Sequence, residues 1–573
     1  MTGLMWLAAV GLLLAAAAVA GTIQRSRRSR LARLRAGWGR PVDRIRKMDA
    51  IAASCRSRVA ESGASAVMDD RTWNDLDLDA VFAALDRTVS TLGQHALYYR
   101  LRSAPLAAHL EAFESLVTRM SADAPARERA QLGLARLQDP HGYDLWWLAR
   151  PDAVDMRPWF VLFPVLSGTA LTALLLTLFR PALLPVLAGA IALNIAVRYA
   201  TDRRIDALVG AFRQLAPVVA AGESLRFLQG ADVEPLIGPL GSDVARLRRL
   251  KTISRWVSGD PLMLSFSGSV FQHIITDIAN ALYAYVNLFF LIEASGVFAG
   301  GRDLRAHGSS LVRVVSAIGE VDAALSVASW RAGRDDWTRP RFPAAGAPAV
   351  LADIRHPLVA DAVPNTTTIE PGHGLLVTGS NMSGKSTFLR TIGVTTVLAQ
   401  TIHTCLAARY EAPVLCVRSC VGRSDDLLAG KSYYAVEVEV LLDLVRASRG
   451  TAPHLFLLDE LFRGTNAVER IAAGHAVLCE LVTGRDGPTP HVVIAATHDG
   501  ELVDLLPEPF AACHFGAAVG GDGLAFDYRL RPGPATARNA IALLRLHGAP
   551  ESLVNRAVLT AAALDRQRDR GRD

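Results

Sequence analysis

The 573-residue sequence has only six cysteines, Cys55, Cys405, Cys416, Cys420, Cys479 and Cys513, and no Cys-x-x-Cys pair. So sparse a set makes no disulfide framework, and a reducing compartment is the simplest reading. Cys416 and Cys420 have no second Cys/His pair beside them, which argues against a structural zinc site. Neither an internal repeat nor a long low-complexity segment is present, so a repeat array is excluded. Charge is also scarce: 20% of the residues are charged against 51% hydrophobic. That is apolar for a soluble enzyme and fits a chain that is part soluble and part membrane. The net charge of +6 permits contact with phosphate backbones or anionic lipid without demanding either.

The long apolar runs are where the composition points. Leu4–Ile23 carries no charge and is long enough to cross a bilayer core of ~30 Å. Ala18-Val19-Ala20 resembles a signal-peptide cleavage site, but no Lys or Arg precedes the run, and a basic cluster from Arg25 to Arg35 follows it. Positive flanks stay cytoplasmic, so the N-terminus is expected outside. A second apolar block, Trp159–Ala200, is divided by Arg180, Pro181 and Pro185 into two spans, with Trp146, Trp147 and Trp159 at an interface. Arg150 and Arg157 before it and Arg198, Arg203 and Arg204 after it make a hairpin open to the cytoplasm at both ends. A third stretch, Ile278–Ile292, contains Asn280 and Asn287 and is read as a buried core helix. The expectation is a multi-pass protein of a bacterial-type inner membrane with residues 24–157 and 201–573 cytoplasmic.

The soluble parts differ from one another. Residues 41–157 and 201–335 alternate apolar and charged residues at helical spacing. After the Pro/Gly/Ala-rich stretch Pro340–Pro348 the pattern changes to short apolar runs separated by helical segments, an α/β pattern. There Gly374–Thr378 reads as a strand running into Gly379-Ser380-Asn381-Met382-Ser383-Gly384-Lys385-Ser386-Thr387, which matches G-x-x-x-x-G-K-[ST], with a helical stretch after it. Such a loop curls backbone N–H groups around phosphates at a helix N-terminus. Lys385 is placed to reach the β/γ-phosphates and the Ser386 hydroxyl to bind Mg²⁺. The apolar run Leu455–Leu458 then delivers Asp459 and Glu460 at a strand end, the first to support Mg²⁺ and the second to orient or deprotonate the attacking water. Val492–Thr497 is a further apolar strand, ending at His498, which could sense the γ-phosphate or position water. ATP and Mg²⁺ are the cofactors this set implies.

Several motifs together resemble the MutS family of DNA-repair ATPases. They are Asn381-Met382 inside the loop, Arg355-His356-Pro357 upstream, and Ser424-Asp425-Asp426-Leu427 with Gly430 and Ser432. Asp459-Glu460 with Arg463-Gly464-Thr465, and Ala496-Thr497-His498, complete the series. The tail Tyr528–Gly533 resembles the segment after the family's ATPase. Leu85-Asp86-Arg87-Thr88 with Gly93, and Gly319–Asp322, look like the ends of its helical core. The resemblance implies a homodimer with two composite sites: Ser432 reaches phosphates bound by the other subunit, Asp425 and Asp426 lie beside it, and Glu437 fills an acidic position of the same motif. It also places Asn365 at the nucleotide. Three departures stand out. The first 70 residues, read as a span, a basic linker and a short helix, are expected to hold no mismatch-reader domain, Ala362 stands where the family has an adenine-stacking aromatic, and Ser380 and Ser383 replace the usual Pro and Gly.

The expected architecture is multidomain, with transmembrane helices, an all-α MutS-like core and lever, and an α/β P-loop ATPase. Its segments are a span (1–23), a basic linker (24–64), helical core (65–157), membrane hairpin (158–200), core and lever (201–338), linker (339–350), ATPase (351–545) and C-terminal helix and tail (546–573). The expected function is a membrane-anchored ATPase that binds and hydrolyses ATP as a dimer to control engagement of DNA. Arg246, Arg248, Arg249, Lys251 and Arg255 offer either phosphate contacts or a solvated helix face. An ATP-switched scaffold for an unknown protein partner is the alternative. A transporter ATPase would require an LSGGQ-like signature and a larger membrane domain, and neither is visible.

Overall fold

The structure is a computed structural model that describes residues 6, 21, 24–62, 67–103, 107–137, 158–258, 281–380, 382–421, 433–483, 490–506, 508–520, 523–535, 541, 544–545 and 548–570. Apart from Trp6 and Gly21 the expected span Leu4–Ile23 lies outside these residues, as do Trp146, Trp147, Arg150 and Arg157. The chain divides into two compact units, Met1–Gly63 with Leu85–Tyr99 and Leu106–Arg334, and Ala64–Ala84 with Arg100–Pro105 and Asp335–Asp573.

In the first unit every regular element among the described residues is helical. The helices used below are α1 (Ala107–Ala122), α2 (Leu162–Phe179), α3 (Leu184–Arg213), α4 (Arg248–Val257) and the long α5 (Ile292–Ala332). From Ser310 onward α5 is buried on almost every side, which its alanines, serines and Gly319 permit because small side chains let neighbouring helices approach. A helix apolar all round belongs in a core, and the polar residues on this one are paired. Asp322 accepts hydrogen bonds from Val89 N (2.8 Å), Ser90 N (2.7 Å) and Ser90 Oγ (2.6 Å). Ser326 Oγ accepts from Arg87 N and donates to Leu85 O. Arg331 forms a two-pronged pair with Glu114 of α1, at 2.9 and 2.7 Å.

The hairpin expected at 158–200 is present as two helices, Pro158–Phe179 and Pro181–Thr201, each long and apolar enough to cross a membrane by length and composition. Leu178, Phe179 and Leu184 are largely exposed around the break at Arg180. The third apolar stretch corrects the expectation of a buried core helix. Its described part, Ala281–Phe290, is helical but exposes Leu282 and Tyr285. It meets α5 at a 70° bend, where Leu291 takes a left-handed φ of 48°. An apolar run specifies an apolar environment, and the sequence alone does not say whether protein or another phase supplies it.

The second unit is α/β. Its main sheet has the order β5-β6-β7-β3-β8-β9, formed by β3 (His373–Thr378), β5 (Cys416–Cys420), β6 (His454–Asp459), β7 (Val492–Thr497), β8 (Phe510–Gly520) and β9 (Gly523–Pro532). The first five strands in that order run parallel and β9 closes the edge antiparallel. β6 between its terminal His454 and Asp459, and β7 up to Thr497, are apolar, as parallel strands covered on both faces require. A second antiparallel sheet of β2 (Asn365–Ile369), β1 (Ala349–Ile354) and β4 (Arg409–Glu411) lies beside it. The covering helices include α6 (Lys385–Ile402), α7 (Tyr433–Ser448) and α8 (Ala467–Thr483).

The helical stretch expected as one segment over 65–157 is divided between the units. Residues 64–84 join the sheet-bearing unit because their acidic side chains find partners on β5. Asp69 pairs with Arg418 at 2.6 Å, and Asp75 Oδ2 accepts from Ser419 Oγ (2.8 Å) and Val421 N (2.9 Å). Helical periodicity carries no information about such long-range pairing.

Candidate functional site

The sheet order places β3 and β6 on either side of β7, so the C-terminal ends of all three strands meet along one rim. Crevices of this kind, at the carboxyl ends of parallel strands, are where open α/β sheets bind ligands. The glycine loop 379–384 leaves β3 there and leads into α6. Gly379 has φ 144°, and a Cβ on it would come within 2.9 Å of Ser383 Oγ and 3.0 Å of Phe515 O, so the turn excludes any side chain. Asn381 lies outside the described residues; Met382 is exposed, with φ 70°. Ser380 Oγ and Ser383 Oγ are buried without a hydrogen-bond partner among the described residues, an arrangement suited to receiving an acceptor.

Lys385, at the first position of α6, is buried and donates from Nζ to the loop's own carbonyl oxygens, Gly379 O at 2.9 Å and Ser380 O at 3.1 Å. Burial lowers its pKa, while Glu460 and Asp459 act in the opposite direction. The next residue reaches across the rim: Ser386 Oγ donates to Asp459 Oδ2 at 2.5 Å. Asp459 Oδ1 is buried and without a partner among the described residues. Burial raises the Asp459 pKa, the Ser386 hydrogen bond lowers it and Glu460 raises it further.

Glu460 stands just past the end of β6 with φ 50°, its N–H donating to Ala496 O of β7 at 2.9 Å. Its carboxylate pairs with Arg463 (2.6 Å) and with His498 Nδ1 (3.5 Å). The hydrogen bond from His498 holds its pKa below the usual carboxylate range, with Arg463 and Lys385 assisting against burial. The same contact raises the pKa of His498. Asp499, gripped by Arg470 at 2.7 Å, lies 3.8 Å from His498 Nε2. Glu437 of α7 accepts the N–H of Phe462 at 2.6 Å and so ties down the turn after Glu460. Asp425, Asp426 and Ser432 lie outside the described residues.

Next to the loop is a cavity of about 330 Å³ lined by His356, Ala362, Asn365, Thr387, Phe388 and Tyr528, among others. Asn365 borders it, yet its amide is engaged with β9: Nδ2 donates to Tyr528 O at 3.0 Å, and Oδ1 accepts Leu530 N at 2.7 Å. Asn365 is therefore a clamp on β9 as well as a wall of the cavity. Sequence reasoning missed the consequence. Tyr528, read only as part of a tail, has a left-handed φ of 52° and brings a ring carbon within 3.2 Å of a Cβ built on Gly384. It adds an aromatic side chain to a lining that also holds Phe388 and Phe515. The β8–β9 pairing and the Asn365 clamp bring it there, and no local signal announces either.

The fold and rim define an α/β domain in which a glycine loop, its lysine and an acidic strand end face one another. Residues 375–565 match the MutS domain V family. The chain is 37% identical over 271 residues to "DNA mismatch repair protein MutS 2" of Halobacterium salinarum, covering 46% of this chain and 30% of that protein. It is 33% identical over 270 residues to "DNA mismatch repair protein MutS" of Thermus thermophilus, covering 46% and 32%. Residues 375–565 thus carry a MutS domain V. The chain spans about a third of the length of these relatives.

Proposed function

We propose that this chain is a membrane-anchored ATP hydrolase of the MutS type, which works as a dimer and uses ATP binding and turnover to control engagement of DNA or a DNA structure. The observation that carries the reading is the Ser386–Asp459 contact at 2.5 Å, with Asp459 Oδ1 buried beside it and unpartnered among the described residues and Glu460 next in sequence. A hydroxyl and a buried carboxylate are the hard oxygen donors Mg²⁺ takes, usually with several waters retained. When bound, Mg²⁺ would neutralise charge on the β- and γ-phosphates.

The chain's own residues would do the rest. Backbone N–H groups at the start of α6 and the Ser380 and Ser383 hydroxyls would hold phosphate oxygens. Lys385 would exchange its two loop carbonyl acceptors for β/γ-phosphate oxygens. The adenine would enter the 330 Å³ cavity against Tyr528. Glu460, kept ionised by His498 and Arg463, would take a proton from the attacking water on a carboxylate oxygen. His498 would fix the orientation of that carboxylate. The length and composition of the hairpin helices support anchoring in a membrane; a bacterial-type inner membrane with the ATP site on the cytoplasmic side is part of the same proposal. Within the basic cluster Arg246, Arg249 and Lys251 pair with Asp243, Asp303 and Glu223, which favours a solvated helix face over a DNA contact there.

The test is DNA-binding anisotropy of detergent-solubilised protein on plain, mismatched and branched duplexes, with and without ATP, alongside ATP turnover. Nucleotide-dependent binding is the expected outcome. Turnover with no binding to any duplex at low salt would overturn the DNA part and leave an ATP-switched scaffold. Absence of turnover would overturn the ATPase assignment.

A further inference from the structure

The first unit holds a second cavity, about 740 Å³, at the foot of the hairpin. Its walls come from α3 at and beyond the end of the second apolar span, from Ser258 just after α4, from the bent helix before α5 and from the first turn of α5 itself, and include Arg198, Tyr199, Arg213, Tyr283, Asn287 and Glu293. The site is built around a fixed helix break. Because Leu291 is left-handed, the helical hydrogen-bond ladder is interrupted, and side chains take over the freed backbone groups. Asn194, fully buried on α3, donates to Phe289 O at 2.7 Å, and Asn287 Oδ1 accepts Glu293 N at 2.9 Å. Glu293, buried, accepts from Asn287 Nδ2 at 2.8 Å and from Arg213 at 2.9 Å, with Arg198 at 3.8 Å. Two guanidinium groups thus converge on one carboxylate, so that these three side chains together carry one excess positive charge. The side chain of Arg213 is 47% exposed and Tyr199 is 72% exposed, whereas Val209, Ala284 and Leu288 give the same cavity an apolar side.

We infer that this cavity seats an anionic phosphate group, the headgroup of an acidic phospholipid, with Arg213 and Arg198 as its ligands and Glu293 holding the two arginines in place until it arrives. The inference rests on the membrane reading proposed above. Arginine presents a planar fork of donors matched to phosphate oxygens. Basic pockets between spans on the cytoplasmic side are where acidic headgroups bind. The excess charge favours an anion over a zwitterion. The apolar side lies where the upper acyl carbons of a lipid inserted beside α3 would run.

The test uses the full chain in vesicles of phosphatidylcholine with a minor fraction of phosphatidylglycerol. A carbonate wash comes first, and loss of the protein from the vesicles at that step overturns the membrane reading itself. Retained protein is extracted in mild detergent and its bound lipids are weighed by native mass spectrometry. Phosphatidylglycerol enriched over its bulk fraction is expected. In the Arg198→Ala/Arg213→Ala double variant the enrichment should fall about tenfold, the loss of charge-assisted hydrogen bonds. Glu293→Gln should instead increase it, because the competitor for the arginines is neutralised; a purely structural cluster would give a decrease. Thermal melting checks that each variant is folded. Bulk-ratio lipid, or equal retention by wild type and double variant, would overturn the inference. Displacement by soluble glycerol phosphate at matched concentration would overturn the lipid assignment in favour of a free phosphate ester.

Discussion

The two units use polar side chains in opposite ways. In the helical unit Asp322, Ser326, Glu114 and Arg331 are buried and paired with groups far away in sequence, and they act as pins. In the α/β unit Lys385, Ser386, Asp459, Glu460 and His498 gather at one rim of the sheet, where some of their capacity is unused: Asp459 Oδ1 and Ser383 Oγ have no partner among the described residues. Polar groups that are satisfied specify a fold, and polar groups held but unsatisfied wait for a ligand. Substitutions should therefore break the fold in the first unit and the chemistry in the second.

The largest effect is expected for Lys385→Ala, which removes the only cation buried in the loop. Turnover should drop by about 10³-fold or more, with loss of fluorescent-nucleotide binding and an unchanged melting curve. Glu460→Ala should reduce turnover by roughly 10²–10⁴-fold while retaining ATP, and gel filtration with ATP should then hold the dimer. Arg331→Ala takes the two-pronged guanidinium away from buried Glu114, which keeps the hydrogen bond from Thr118, and should cost about 3–5 kcal/mol by denaturant unfolding. Gly93→Ala places a Cβ 2.2 Å from Asp322 Oδ2, a clash worth about 1–3 kcal/mol by the same measurement. Equal loss of turnover per folded molecule in these last two variants would erase the contrast between the units.

The smallest effect concerns pH. The His498 contact is the first cause of the depressed Glu460 pKa, and burial opposes it. In His498→Ala the Glu460 carboxyl should therefore protonate at higher pH. The acid limb of the turnover profile should move toward neutrality, with turnover above it reduced by about tenfold. An unmoved limb would separate Glu460 from that step.

Much of the rim was legible in the sequence because its chemistry is local. A glycine loop, an apolar strand with two carboxylates and a strand ending in histidine can each be read within ten residues. Their convergence follows from the rule that parallel strands deliver their C-terminal ends to one edge. The hairpin was legible from length and charge alone. What escaped depends on pairing between distant segments. Tyr528 reaches the cavity through the β8–β9 pairing and the Asn365 clamp, and Asp69 and Asp75 are drawn to β5 by Arg418 and Ser419. The stretch 278–292 was misread because an exposed apolar helix and a buried one share a composition.

Glu460 has one further consequence, through its backbone. An L-residue at φ 50° carries a cost of roughly 1–3 kcal/mol that glycine would avoid. Glycine at 460 should thus give a protein that melts higher while losing turnover to the extent that Glu460→Ala does. A campaign that ranked variants of this chain by heat resistance alone would favour that substitution and discard the carboxylate. Any engineering of this domain for robustness has to hold position 460 fixed and screen for turnover alongside melting temperature.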